Sequence, residues 1–443
     1  MASSLSQSYR HHLSLRQQTY ERVLSQCGFS GVVIAAGIST FHFADDQEIV
    51  FRANPHFTHW LPESSPFHLL VIRPGATPRL LFYSPQDFWH DQPSWQGAFW
   101  AEFFDIIPIE EKEKLSSSLG RIDGFAFIGP ENALPTGHNL VVNPPLLLSH
   151  LDWERGLKSD YEVSCLVEAT ARGAAGHRAA REVFAQGGSE LDAHYAFVKA
   201  TGTTETELPY PTIIGMDEKS AILHYRSKQV SKNHKVMLID AGARASGYCS
   251  DITRTYQRRR KDSPLFASLL AEMESLQQKL CSLVGPEISF LELHRSCIEG
   301  IGKILLNSGI IKNCSLEVLN QHRLAEVFFP HSLGHMLGIQ VHDVGGKQIN
   351  AAGESSQAAD YPSLRTLRKL RSSEVVTIEP GLYFIPLKLE PQRQGPCAQY
   401  FSWETIDNLL PLGGIRIEDD ILVTANGCRN LTREHLGNEF LLE

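Results

Sequence analysis

No CxxC pair and no zinc-knuckle spacing occurs among the eight cysteines, which stand at 27, 165, 249, 281, 297, 314, 397 and 428. That argues against a cysteine metal site or a disulfide framework, so reduced thiols in a reducing compartment are expected. Apolar runs of membrane-spanning length are also missing, and no transmembrane helix is expected. The opening stretch MASSLSQSYRHHLSLRQQ is too polar for a secretory signal. Positive charge is not in excess: a formal net charge of −9 argues against nucleic acid or an anionic membrane as a main partner. No tandem repeat of solenoid period is visible. The expectation is a soluble, cytoplasmic protein.

A chain of 443 residues exceeds the size at which a single core usually splits, so two domains are expected. With 42% apolar and 21% charged residues its composition is that of an ordinary globular protein. Residues 8–27 read as an amphipathic helix, followed by a buried strand from Gly31. Further strand-like runs start at Phe67, Arg79 and Gly124, which makes the first part an α/β unit ending near residue 155. Ser159 with Glu162 then forms a capping box that opens a new helix. The predicted domains are 1–155 and 156–443. Helices are predicted over 160–185, 189–201, 263–283 and 289–307, the last opened by a second box, Ser289 with Glu292. The stretch 343–373 is long, polar and aperiodic, and loops of that kind are usually functional or disordered.

What is present in force is a set of five potential metal ligands: Asp240, Asp251, His335, Glu379 and Glu418. They stand in the phrases LIDAGA, GYCSDITRT, PHSLGHMLG, TIEPGLYF and GIRIEDD. Four carboxylates gathered at one point repel one another unless cations neutralise them. Val236–Asp240 reads as a buried strand, and Tyr248–Tyr256 as the strand returning from a turn bracketed by Gly242 and Gly247. A turn centred on Ala245 and Ser246 would set Asp240 and Asp251 directly opposite each other, with Cβ atoms about 5 Å apart. Taken singly, each Asp also reads as a strand end at a turn. Asp251 resists that reading because it falls inside a strand pattern, where carboxylates are depleted. Val375–Glu379 and Gly414–Glu418 are apolar runs ending in an acid, with Thr377 and Glu379 on one face and Arg416 and Glu418 on one face. A lone Glu there reads equally as an ion-pair partner, Arg416 supplying the pairing. His335 sits after Gly334, where backbone can pack close beside its ring. One imidazole among carboxylates suits manganese, zinc, iron or cobalt.

These phrases, in this order and spacing, resemble the dinuclear peptidases of the pita-bread fold, the methionine aminopeptidase and prolidase clan. The closer resemblance is to bacterial-type Xaa-Pro dipeptidases, and it spans essentially the whole chain. FADDQEIVFRANPHFTHWLPE, the LHY at 223–225 and YPSLRTLR at 361–368 carry it. The resemblance implies an α+β protein with a smaller N-terminal α/β domain and a C-terminal pita-bread (creatinase/aminopeptidase-like) catalytic domain. By the same resemblance Asp240 binds one ion, Asp251 and Glu418 bridge two, and His335 and Glu379 bind the second. Manganese is the expected metal. Arg365 would hold the carboxylate of a dipeptide, for which its planar fork is suited. His224, His331 and His342 match histidines that steady substrate and transition state, while Tyr210 and Val341 match the proline-side pocket. Arg416 is carried over as a substrate-binding residue. Asp45 matches a residue that reaches into the partner's site, which implies a homodimer. Each of these residues taken alone reads equally as structural.

The implied activity is hydrolysis of dipeptides with a C-terminal proline by a hydroxide that two cations generate near neutral pH. Glu379 would take the water's proton and pass it to the leaving nitrogen. A protonated His331 or a neutral His224 is expected to stabilise the tetrahedral intermediate. Three rivals stand beside this reading: an Xaa-Pro or methionyl aminopeptidase with the same ligands, organophosphorus ester hydrolysis as a side activity, and a metal-free binding protein on the same scaffold. One departure from the family lies near the metals. Ser332 occupies a position where glycine is usual, and a serine at positive φ would strain the loop.

Overall fold

The computed structural model describes residues 2–62 and 65–437. It divides into two compact units, one formed by Met1–Cys165 with Asn350–Glu354 and the other by Leu166–Ile349 with Ser355–Glu443.

The first unit is built on a six-stranded mixed sheet of order β4-β3-β2-β1-β5-β6. Its strands are β1 (Gly31–Ala35), β2 (Leu69–Ile72), β3 (Arg79–Tyr83), β4 (Asp105–Ile109), β5 (Phe125–Ile128) and β6 (Val141–Val142). The central β1 is buried along its whole length and runs antiparallel to β2 and parallel to β5. A strand covered on both faces reads as a continuous apolar run, which is why GVVIA was legible. Val33, Val71, Leu81, Phe125 and Phe127 fill the core on one side. Helices α1 (Ala2–Cys27), α2 (Pro55–Thr58), α3 (Lys114–Ser118) and α4 (Pro145–Arg155) complete this unit. Asp45 lies in the exposed segment between β1 and α2, where its Oδ1 accepts from the Gln47 amide at 3.2 Å.

The box at Ser159 opens α5 (Asp160–Ala185): the Ser159 amide donates to Glu162 Oε2 at 2.9 Å and the Glu162 amide to Ser159 Oγ at 3.4 Å. After it come α6 (Glu190–Thr201), α7 (Pro264–Ser282) and α8 (Phe290–Asn307), close to the predicted spans. The second box is not formed. Ser289 makes no side-chain capping bond, and Glu292 turns instead to Arg295 at 2.6 Å. What holds α8 is its buried stripe of Phe290, Leu293, Cys297 and Ile301, spaced three to four residues apart.

The strands of the second unit are β7 (Ile213–Met216), β8 (Val236–Asp240), β9 (Arg244–Ala245), β10 (Tyr248–Cys249), β11 (Thr253–Gln257), β12 (Val375–Ile378), β13 (Gly381–Tyr383), β14 (Gly414–Arg416), β15 (Asp419–Thr424) and β16 (Gly427–Asn430). They form two three-stranded sheets, β11-β8-β7 and β12-β15-β16, with two short ribbons, β9 with β10 and β13 with β14. An isolated antiparallel bridge from Thr253 to Glu418 ties the first sheet to the strand end that carries Glu418.

The register of the first hairpin corrects the sequence reading. Asp240 lies opposite Thr253, and Ala245 opposite Tyr248. The turn therefore centres on Ser246 and Gly247, not on Ala245 and Ser246. Both turn residues have positive φ, 48° and 87°, the combination that a two-residue turn of the tighter hairpin type needs. The shift is two residues, so the side chains keep their faces. The return strand is also broken: β10 ends at Cys249 and β11 starts at Thr253, leaving Asp251 outside any ladder. Segment 343–373 carries neither helix nor strand, only turns and isolated bridges.

Candidate metal centre

Two glycines let the ligand-bearing strands close up. A Cβ at Gly242 would stand 1.9 Å from the Ser250 carbonyl oxygen, and one at Gly334 would stand 2.0 Å from that of Thr377. Both positions need a bare backbone because a neighbouring stretch of backbone passes over them, as expected beside His335. The result is a cluster in which Asp251, His335 and Glu418, all buried, each offer a ligand atom within 4.8 Å of the others. His335 Nε2 lies 3.4 Å from Asp251 Oδ2 and 3.6 Å from Glu379 Oε1. Its Nδ1 donates to the Met336 carbonyl at 3.0 Å, which leaves Nε2 facing the acids. Asp240 joins through Tyr210, whose single hydroxyl proton is shared between Asp240 Oδ1, at 2.8 Å, and Asp251 Oδ1.

The electrostatics show a place built for positive charge. Burial first, and then the neighbouring acids, push Glu418 well above the usual carboxylate range. Glu379 is pushed up to about 7 by burial, against the pull of His335 and Arg416. Burial raises Asp240 too, opposed by Arg416. Burial alone would lower His335, but the Asp251 hydrogen bond and the Glu379 charge outweigh it and bring it up to about 9. Mutually repelling buried oxygens with one imidazole are a donor set that fits divalent cations, and loading them expels protons.

A chain of hydrogen bonds runs through the same site. Arg416 Nη2 donates to Asp240 Oδ2 at 2.6 Å and Nη1 to the Tyr383 hydroxyl at 3.0 Å. The Tyr383 hydroxyl lies 2.8 Å from His331 Nε2, while His331 Nδ1 lies 2.8 Å from the Ser332 carbonyl. Nδ1 therefore carries the proton and Nε2 accepts from tyrosine. Burial and the Arg416 charge lower His331 to about 3, so it is neutral. This overturns the protonated His331 expected from sequence. Arg416, expected to contact substrate, is occupied by Asp240, Tyr383 and Thr253 Oγ1.

His342 stands edge-on to His335 with ring centroids 4.4 Å apart, and Val341 beside it is partly exposed. Burial lowers His342 to about 4, with the charges of His335, Arg365 and His224 adding to the effect. Arg365 and His224, both exposed, thus act on the same space. Ser332 does not take a positive φ. Its hydroxyl donates to the Gly334 carbonyl at 2.7 Å, so the strain anticipated for a serine here is absent.

Sequence reasoning missed four supports: Tyr383, Thr253, Thr170 and Asp420. Thr253 Oγ1 donates to Glu418 Oε2 at 2.6 Å, and Asp420 accepts from the Asp251 amide. The only signal in the chain for Thr253, Tyr383 and Asp420 was adjacency to the ligands, in DITRT, EPGLY and IEDD, and Thr170 had none.

The model of metallopeptidase family M24 matches residues 164–425, and that of the Xaa-Pro dipeptidase N-terminal domain matches residues 7–153. A protein named Xaa-Pro dipeptidase from Marinobacter nauticus is 40% identical over 96% of this chain and 97% of its own length. One of the same name from Pseudoalteromonas haloplanktis is 38% identical over 97% and 98%. Among solved structures, proline aminopeptidase P II from Yersinia pestis aligns with a TM-score of 0.73 at 24% identity, over 98% of this chain and 97% of that one. Aminopeptidase PepP from Pseudomonas aeruginosa aligns at 0.74 and 21% identity, over 99% and 96%. At such identities these structures speak for the fold alone, an N-terminal domain followed by a pita-bread domain. With both family models matched and the relatives aligned nearly end to end, this chain belongs to metallopeptidase family M24 and carries the N-terminal domain of its Xaa-Pro dipeptidases.

Proposed function

We propose that this chain is a metal-dependent Xaa-Pro dipeptidase, a hydrolase that splits dipeptides ending in proline. The observation that carries the reading is the alignment over 96% of the chain with relatives of that name, in a sequence where all five ligand positions are present. Asp240, Asp251, His335, Glu379 and Glu418 would hold two divalent cations, with manganese the expected ion. Such an ion pair activates water near neutral pH and polarises the scissile carbonyl. The aminopeptidase and metal-free readings have no comparable support.

Glu379 suits the exchange of a proton between the attacking water and the proline nitrogen, as general base and then acid. His331 acts as a neutral group oriented by Tyr383 and the Ser332 carbonyl, with its Nδ1–H already committed. Arg365 and His342 would meet the substrate carboxylate, with Tyr210 and Val341 toward the proline ring and His224 on the other side of the scissile bond. Arg416 serves chiefly by steadying Asp240 and Tyr383. Asp45 would take the substrate's amine from the partner subunit of a homodimer, making the N-terminal domain, expected over 1–155, the dimer contact. A free carboxylate at one end and a free amine at the other select dipeptides, because a longer peptide leaves one of these charges unpaired. No described helix is long and apolar enough to cross a membrane, and we place the protein in the cytoplasm.

Ala-Pro and Ala-Pro-Ala, assayed side by side with manganese, test the reading. Turnover of Ala-Pro with at least tenfold slower cleavage of the tripeptide is expected. The reverse preference would identify an aminopeptidase, and no cleavage of either by manganese-saturated protein would remove the assignment.

A further inference from the structure

The side chains beneath the ligands form a pattern of their own. Thr377 on β12 and Asp420 on β15 lie directly opposite each other across the antiparallel pair, and both are fully buried. Directly opposed residues share a face of the sheet. Each reaches the backbone of a different ligand loop. Thr377 Oγ1 accepts from the His335 amide at 3.1 Å. Asp420 Oδ1 and Oδ2 accept from the Asp251 amide at 3.2 and 3.3 Å.

Neither amide is held by a strand ladder. Asp251 falls in the gap between β10 and β11, and His335 lies on a loop outside any strand. A buried amide without a partner costs free energy, so something must stand where a neighbouring strand's carbonyl would have been. Here a side chain does so on both sides. Asp420 is itself fixed: Thr170 Oγ1 lies 3.1 Å from Oδ2, and the Asp420 amide donates to Thr432 Oγ1 at 2.9 Å. Thr377 is fixed by its own amide, which donates to the His335 carbonyl at 2.9 Å.

A carboxylate is a costly choice for this task, because it is buried and adjoins another acid. An apolar side chain would leave the Asp251 amide bare, and a hydroxyl at this position is too short to span both contacts. We propose that the Thr377–Asp420 pair is a positioning platform that sets the spacing of Asp251 and His335, so that the two ligand loops, 84 residues apart in sequence by subtraction of 251 from 335, are preassembled for cation capture. Asp420 orients Asp251 through its backbone and touches no substrate. The inference rests on the reading that Asp251 and His335 bind divalent cations. Groups that orient ligands in this way change metal affinity by roughly 10- to 100-fold when removed.

The test is a manganese titration, followed by calorimetry and by the spin-resonance signal of free manganese, on metal-stripped full-length protein. Wild type, Asp420→Ala, Asp420→Asn and Thr377→Val are compared, with thermal unfolding of each metal-free protein as the check on folding. Asp420→Ala is expected to bind manganese at least tenfold more weakly. Asp420→Asn, whose amide oxygen still accepts from Asp251, should recover most of that loss. At saturating manganese, KM for Ala-Pro should stay within twofold of wild type while kcat falls, a split that a general loss of structure would not give. Should Asp420→Ala fail to fold, Thr377→Val carries the test: it must also bind at least several-fold more weakly. A folded Asp420→Ala with wild-type affinity, or a Thr377→Val with wild-type affinity, overturns the platform and leaves the dipeptidase reading intact. Wild-type protein that takes up no manganese removes both.

Discussion

Gly334→Ala is the smallest change that should disable the centre without touching a ligand. The added Cβ would stand 2.0 Å from the Thr377 carbonyl oxygen, whereas ordinary contact begins near 3.4 Å, so the loop must retreat by about 1.4 Å, the difference of the two. Four hydrogen bonds tie that loop to β12 and to Glu379 just after it: Thr377 amide to His335 carbonyl at 2.9 Å, Leu337 amide to Val375 carbonyl at 2.9 Å, Glu379 amide to Leu333 carbonyl at 2.8 Å, and His335 amide to Thr377 Oγ1 at 3.1 Å. With one or two of these bonds weakened at about 1 kcal/mol each, and about 1–3 kcal/mol for overpacking, the loss of stability should fall around 2–5 kcal/mol. For a unit of this size that lowers Tm by roughly 5–15 °C. A displacement of this order at the reacting groups costs about 100-fold in turnover. Thermal unfolding of the metal-free protein and kcat/KM on Ala-Pro with manganese read the two effects. Gly285→Ala, where a Cβ would meet nothing closer than 3.7 Å, is the control. If Gly334→Ala keeps its Tm within a degree and its kcat/KM within threefold of wild type, the close-packing argument is wrong.

Other consequences follow from single groups. Ser332→Gly should change turnover less than tenfold, since the serine sits without backbone strain and its hydroxyl bonds only to Gly334 and, at a long 3.5 Å, to the Arg365 amide; a large gain in kcat would show that the hydroxyl mis-sets the loop. Glu379→Gln should abolish Ala-Pro hydrolysis while thermal unfolding shows the fold retained, and near-normal turnover would remove its proton-carrying role. His68 supplies a pH dependence. It is fully buried, its Nδ1 accepts from the Tyr83 amide at 3.1 Å, and burial lowers it from 6.5 to about 3. The unfolded chain therefore takes a proton below pH 6.5 that the folded chain refuses, so stability is full above 6.5 and falls as pH drops toward 3. At pH 5, 1.5 units below 6.5, the loss from this group is about 2 kcal/mol. Chemical unfolding of His68→Asn between pH 7 and 5 should be flatter than wild type by that amount, and an identical slope would contradict the argument.

What could be seen in the sequence was whatever depends on local pattern. The apolar run of β1 and the box at Ser159 each follow from a few neighbouring residues, and the ends of α5 to α8 came within a residue, whereas α1 begins at Ala2 and not at residue 8. The ligand phrases were legible because carboxylates in strand-like runs oppose propensity. The failures involve choices between near-equivalent local options. The turn moved to Ser246–Gly247 because only that pair adopts two positive φ values, and Ser289 lost its cap partner because Glu292 pairs with Arg295. The supports of the site were invisible for a different reason. Thr253 with Glu418, Asp420 with Asp251 and Arg416 with Asp240 join residues 165 or more apart in sequence, and nothing local distinguishes a threonine or arginine that will find such a partner. His331 shows the same limit: its neutrality comes from burial and from Arg416, neither of which a sequence displays.

Metal-stripped enzyme reloaded with manganese addresses the central claim most directly, by counting ions per chain and timing Ala-Pro cleavage in the same sample. The account predicts two manganese ions per chain, no cleavage before reloading, and cleavage restored in step with the second ion. Full activity in the stripped protein, or saturation with manganese that leaves the chain empty, would contradict it.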